Sequence, residues 1–147
     1  MSDMPGLVLP AYFSYFWSPV KMMPTPDGGL TAWRLSIDTG GWETANDLVD
    51  EILFAVGGEI SVLTADQFIQ YTEHDRGRYL RGDGPVFALY ETVRAIEDAA
   101  DTERRRLTPQ EQALVRGIRR KTFVMFEEEL QRAGDPGADP TIATGPA

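Results

Sequence analysis

Cysteine is absent from this 147-residue chain, and histidine occurs once, at His74. The first absence excludes disulfides, thiolate metal centres and cysteine nucleophiles together. It also suits a reducing, cytoplasmic compartment. The second absence leaves His74 without another imidazole to share a metal ion or a proton relay, so no metal site and no cofactor are expected. Long apolar runs are missing as well. The stretch from Leu7 to Val20 is short and broken by Pro10 and Pro19, and Asp3 stands where an export signal carries positive charge. Neither a secretion signal nor a membrane span is expected from it. Basic residues are scarce, 14 Lys and Arg against 23 Asp and Glu, for a formal net charge of −9. That balance disfavours non-specific binding to nucleic acid or to anionic lipid.

What is present describes one α+β domain. The length fits a single hydrophobic core, and 42% apolar with 25% charged residues is the composition of a folded protein. Residues 11–17, Ala-Tyr-Phe-Ser-Tyr-Phe-Trp, favour extended structure. The Pro24-Thr-Pro-Asp-Gly-Gly29 segment is a turn, and residues 30–37 alternate in the manner of a strand, so an N-terminal β-hairpin is expected. Ala45, Leu48, Val49, Ile52, Leu53 and Val56 recur at helical spacing after Thr44, a candidate cap, and before Gly57-Gly58. A short third strand follows at 59–63, and Thr64 with Gln67 forms a capping box for the next helix. Residues 74–84 read as a loop. Pro85 opens a helix with the stripe Val86, Leu89, Tyr90, Val93, Ile96 and Ala100. Thr108, Pro109 and Glu111 open the last one, whose inward stripe is Leu114, Val115, Ile118, Thr122, Met125, Phe126 and Leu130. The expected fold is a small antiparallel sheet packed against about four helices, in the order β-β-α-β-α-α, ending in a helical hairpin. Residues 1–133 make the domain, and 134–147, rich in Pro and Gly, read as a flexible tail.

Charge is unevenly placed. Between Arg104 and Lys121 lie seven basic residues, Arg104, Arg105, Arg106, Arg116, Arg119, Arg120 and Lys121, against the single acid Glu111. The window carries +6 and the rest of the chain −15. The last helix also carries Glu127, Glu128 and Glu129 near its C-terminus, where the helix dipole disfavours acids. The arginines therefore need partners outside their own helix. These are either acids within the fold (Asp47, Asp50 and Glu51, or Glu91, Glu97, Asp98 and Asp101) or a binding partner. Tyr12 and Phe16, opposite Phe13, Tyr15 and Trp17 across the first strand, add a candidate aromatic interface.

Three readings of function follow. The preferred one is a non-enzymatic protein-interaction module, a small acidic cytoplasmic accessory, inhibitor or immunity-type protein. Its partner is another protein or a second copy of this chain, and its contacts are the basic zone with Tyr12 and Phe16. The second is an anion- or nucleic-acid-binding module using residues 104–121. Arg76, Arg78 and Arg81 form a further anion-binding candidate, on a glycine-containing loop ahead of a helix start. The third is an enzyme with its site in the 74–84 loop. His74 between Glu73 and Asp75, and the carboxylates of Asp47, Asp50 and Glu51, have the residue types for acid–base work. Neither set forms a catalytic constellation in the sequence, because three consecutive residues diverge on a helix and acids on one helix face are ordinarily solvated. Arg81-Gly82-Asp83 matches an integrin-binding tripeptide, but three residues recur by chance.

Overall fold

The computed structural model describes residues 7–54 and 57–144. An antiparallel sheet of five strands forms from β1 (Ala11–Tyr15), β2 (Ser18–Pro24), β3 (Leu30–Leu35), β4 (Trp42–Thr44) and β5 (Ile60–Leu63), in the spatial order β4-β3-β2-β1-β5. The helices are α1 (Val49–Phe54), α2 (Ala65–Tyr79), α3 (Pro85–Thr102) and α4 (Pro109–Arg132), with 3-10 turns at Asn46–Leu48 and Pro140–Thr144. The α+β class, the antiparallel sheet and the packed helices are as the sequence indicates.

The sheet holds two strands more than the pattern suggested. The turn at 24–29 forms, with Thr25 N–H donating to the Gly29 carbonyl, but it joins β3 to β2 rather than to the aromatic strand. β2 escapes a propensity reading because prolines bracket it and Lys21 interrupts its apolar run. Pro19 and Pro24 lie near its two ends, where a missing N–H is most easily tolerated. The aromatic strand itself ends at Tyr15, and Phe16-Trp17 is a two-residue reversal into β2.

Strand alternation sorts the core into two clusters. Tyr12, Lys21 and Trp33 stand side by side on one face, and Phe13 and Val20 on the other. The first face packs Tyr12, Leu35, Trp42 and Leu63 against Phe68 and Ile69 of α2, Phe123 of α4 and Ile142. The second packs Phe13, Val20, Met22, Ala32 and Ile60 against Ala45 and Ile52, under the 3-10 turn and α1. Both faces of the aromatic strand are thus covered. The 3-10 turn begins after Ala45 with no side-chain cap, and Thr44 belongs to β4. Of the expected stripe of this helix, Val56 lies outside the described residues.

Capping boxes start α2 and α4. The Thr64 and Thr108 hydroxyls accept from the N–H of Gln67 and Glu111, whose side chains accept from the cap N–H in return. α3 and α4 pack as an antiparallel pair, with Glu97 beside Arg119 at one end and Phe87 and Phe126 lining a shared cleft at the other. On α4 the inward stripe is rotated from expectation. Val115, Thr122, Phe123 and Glu127 are buried, while Leu114 is 54% exposed.

Of the stretch expected to be a tail, 134–147, residues 145–147 lie outside the described residues. Residues 135–144 dock across the helical face of the sheet. The Asp135 carboxylate accepts from Trp42 N–H at 2.9 Å, Asp139 N–H donates to Glu127, and Ile142 is buried. Gly137 makes the approach possible: a Cβ there would lie 2.5 Å from that of Trp42 and 2.9 Å from the Trp33 ring. Composition suggested mobility because small residues are common in linkers. Here smallness serves close packing instead.

Candidate functional site

Four charged side chains, Lys21, Glu73, Arg76 and Glu127, are buried together between sheet and helices. The expected loop at 74–84 does not begin until after Tyr79. α2 continues through His74 and carries Arg76 inward, three residues from Glu73. Arg76 donates to Glu73 at 2.8 Å, to Glu127 at 2.5 Å and twice to the Gly40 carbonyl, and its guanidinium lies 4.2 Å from the centre of the Phe126 ring. Gly40 adopts φ +77°, and a Cβ there would meet Phe126 at 2.5 Å and Leu80 at 2.7 Å, so glycine alone lets this carbonyl reach the arginine. Glu127 also accepts from the Trp42 indole and from Asp139 N–H. Glu73 accepts from the Tyr90 hydroxyl at 2.7 Å. Lys21 donates to the Gly137 carbonyl and lies 3.9 Å from Glu127 and 4.4 Å from the centre of the Trp42 ring.

The network is formally neutral, two cations against two carboxylates, which is the condition for burying it at tolerable cost. Burial pushes the Lys21 ammonium down to about 8, against the opposing pull of Glu127 and Asp139. Burial pushes Glu73 up, opposed by Arg76, and pushes the Tyr90 hydroxyl far up. For Arg76, burial acts downward but is outweighed by Glu73 and Glu127, so the guanidinium is held above its ordinary value. Lys21, Arg76 and Glu127 have no exposed surface through which a substrate could reach them. The role visible in this geometry is to fasten α2, α4, β2, β4 and the C-terminal segment to one another.

Two site candidates are thereby reassigned. Arg76 is no anion site, since its donors are already taken, and Tyr12 is a core residue whose ring lies tilted against that of Phe68, centres 4.8 Å apart, rather than a partner contact. The basic zone is only partly balanced within the fold. Arg105 pairs with Glu103 and Glu111 at 2.9 and 2.7 Å, and the Glu111 carboxyl is lowered to about 2, chiefly by that hydrogen bond. Arg119 approaches Glu97 at 3.4 Å, and Arg120 pairs with Asp66 at 2.6 Å. Arg104, Arg106, Arg116 and Lys121 are exposed and make no ion pair among the described residues. Asp47, Asp50 and Glu51, proposed as internal partners, lie across the sheet from α4.

Two surface features remain. A cleft of about 190 Å³ between α2, α3 and α4 is lined by His74, Arg78, Arg81, Arg94 and Arg119, with Glu73, Tyr90 and Glu97. Arg78 and Arg81 of the expected anion site are therefore together, but with arginines from two other helices in place of Arg76. The other feature is the β1–β2 reversal. Phe16 and Trp17 hold φ +46° and +70°, the left-handed pair of a type I′ turn, which ordinarily selects Asn-Gly. Both are nonetheless large aromatics, 50% and 65% exposed. Tyr15 packs edge-on against Phe16 at 4.8 Å and donates its hydroxyl to Glu51 of α1, and Phe16 N–H donates to the Glu59 carbonyl. Asp47, Glu51 and Glu59 are exposed beside this tip and Asp50 is exposed on α1, with Arg34 as the nearby cation.

Among the described residues no cluster of three or more metal-ligating side chains occurs, and no helix is long and apolar enough to cross a membrane. No protein-family model, curated protein or solved structure matches this chain.

Proposed function

We propose that this chain is a non-enzymatic protein-interaction module, an acidic accessory or inhibitor-type protein that acts in the cytoplasm. It grips a basic protein surface with the tip formed by Phe16 and Trp17 and the acids of the neighbouring α1 face. The observation that carries this reading is the turn. Bulky residues in left-handed backbone cost free energy, and such positions persist where side-chain identity serves something other than the fold. Exposed aromatics provide the anchor of an interface, and surrounding carboxylates provide steering and choice of partner. Charge complementarity selects the partner. Residues 1–64 hold eight acidic residues and only Lys21 and Arg34 as cations, and Lys21 is buried. A second copy of so acidic a face would be repelled, whereas a Lys- and Arg-rich surface would be attracted.

The test is a pull-down from the native host with three baits: the unaltered chain, F16N/W17G and D47K/D50K. The expected result is a basic partner retained by the first and lost from both others. The reading is overturned if all three baits retain the same proteins, or if the unaltered chain retains none. Loss from the charge variant alone would transfer the function to the acidic face and leave the aromatic tip without a part in it.

A further inference from the structure

We propose that the cleft between α2, α3 and α4 is a binding site for a small phosphate-type oxyanion, held by Arg78, Arg81, Arg94 and Arg119. In a molecule of net charge −9, four arginines line one concavity of about 190 Å³, Arg78 near the end of α2, Arg81 just beyond it, Arg94 on α3 and Arg119 on α4. That volume accommodates a single tetrahedral oxyanion or a terminal phosphate group. Guanidinium is the side chain best matched to such a ligand, because its planar fork offers paired N–H donors to two oxygens at once.

The internal partners of these arginines use few of their donors. Arg94 donates from one nitrogen to the Gly77 carbonyl, and Arg81 from one nitrogen to the carbonyls of Arg78 and Leu80. These bonds satisfy carbonyls at the end of α2 and fix the direction of both guanidinium groups. Arg119 meets Glu97 only at 3.4 Å, and Arg78 rests against the Tyr79 ring. The remaining N–H groups are left to whatever fills the cleft. Of the two acids that line it, Glu73 is neutralised from behind by Arg76, so Glu97 alone opposes the four arginines. A dianion would reduce the surplus of three positive charges to one. The Tyr90 hydroxyl is committed to Glu73, which leaves His74 and Glu97 as the other acid–base side chains lining the cleft.

The experiment is a titration of the full chain with inorganic phosphate at constant ionic strength, followed by amide NMR shifts and by the thermal midpoint. Sodium chloride and sodium acetate serve as matched controls. Saturable shifts confined to the ends of α2 and the facing turns of α3 and α4 are expected with phosphate and not with chloride. Acetate shifting the same amides as strongly would make the cleft a carboxylate site and overturn the phosphate assignment. Arg78 and Arg81 are exposed, so R78A/R81A should fold. It should bind phosphate at least about tenfold more weakly, one lost charge-assisted hydrogen bond being enough for that factor. R78K/R81K keeps the charge without the fork and should fall between the two. No saturable phosphate response, or a response unchanged in R78A/R81A, ends the proposal.

Discussion

On the face of the sheet that carries Tyr12, Lys21 and Trp42, three long helices and the C-terminal segment bury two carboxylates, a guanidinium and an ammonium alongside the aromatic core. On the face that carries Phe13, Val20 and Ile60, a 3-10 turn and six residues of α1 cover a purely apolar cluster. The cover there is short, and Phe16, Trp17 and Phe54 remain in the open. The first arrangement commits its buried charged groups to one another. Every charge has a named counter-charge, so this face is specific, fixed and unavailable. The second is cheaper to build and leaves aromatic surface over. A molecule of this kind separates the side that fixes its fold from the side it can offer to a partner.

Breaking the charged face should have the largest consequence. Replacing Arg76 by Met leaves Glu73 and Glu127 buried with Lys21, 3.9 Å from Glu127, as the only cation. Removing one member of a buried ion network costs roughly 3–5 kcal/mol, against a total stability of about 5–15 kcal/mol for a domain. R76M should therefore lower the urea midpoint drastically or prevent folding. Adding E73Q should recover a large share, since Glu127 then keeps Lys21 as its counter-charge and no carboxylate is left stranded. On the apolar face, I52V removes one methylene from a fully buried position and should cost only about 1 kcal/mol. If R76M and I52V unfold at similar urea concentrations, the distinction between the two faces collapses.

A second way to sharpen the comparison is pH, because only the charged face holds a buried base. Lys21 titrates near 8 in the folded chain and at its ordinary 10.5 when unfolded. Between these values the unfolded chain binds the extra proton, so stability rises with pH across that window. At roughly 1.4 kcal/mol per unit, the gain approaches about 3 kcal/mol by its upper edge. Tyr12 and Tyr90 act oppositely. Burial raises both above 10.0, so the unfolded chain ionises first and stability falls once the pH passes 10. Urea unfolding of the unaltered chain should thus show stability climbing from pH 8 towards 10 and then turning over. K21M should lose the climb and keep the fall. A climb that survives in K21M would show that Lys21 is not its source.

The ease with which each face can be read from sequence follows from the same chemistry. The capping boxes at Thr64 and Thr108, the Pro85 helix start and the turn at 24–29 are local signals, and each forms where its residues stand. The ion network is nonlocal. Lys21, Glu73 and Glu127 are each charged residues in otherwise ordinary contexts, and nothing within a few positions of any of them announces the other two. Arg76 was the most deceptive, because three glycines and three arginines after His74 resemble an anion-binding loop, whereas α2 runs on to Tyr79. The one available hint was Glu127, placed four residues beyond Phe123 on the buried side of α4 and against the helix dipole. The surplus of aromatics on the first strand was legible. Their division into a buried Tyr12 and Phe13 and an exposed Phe16 and Trp17 required β2, whose prolines conceal it.

The smallest expected effect is the most diagnostic, because its sign differs from that of almost any other truncation of a large side chain. Left-handed backbone costs a non-glycine residue roughly 1–2 kcal/mol, and Phe16 and Trp17 both bear it. Asn-Gly is the pair that adopts this turn with least strain. Against the relief stands the edge-on contact of Phe16 with Tyr15, of the kind worth about 0.5–1.5 kcal/mol. The balance favours the variant, and the backbone freedom that glycine gives the unfolded chain trims the gain, so F16N/W17G should unfold at higher urea, by about 1 kcal/mol. If the turn were retained for stability, the same variant would be weaker than the unaltered chain, and the tip would belong with the core. If stability rises while the partner is lost, the two aromatics are held at the fold's expense for the sake of a contact outside it.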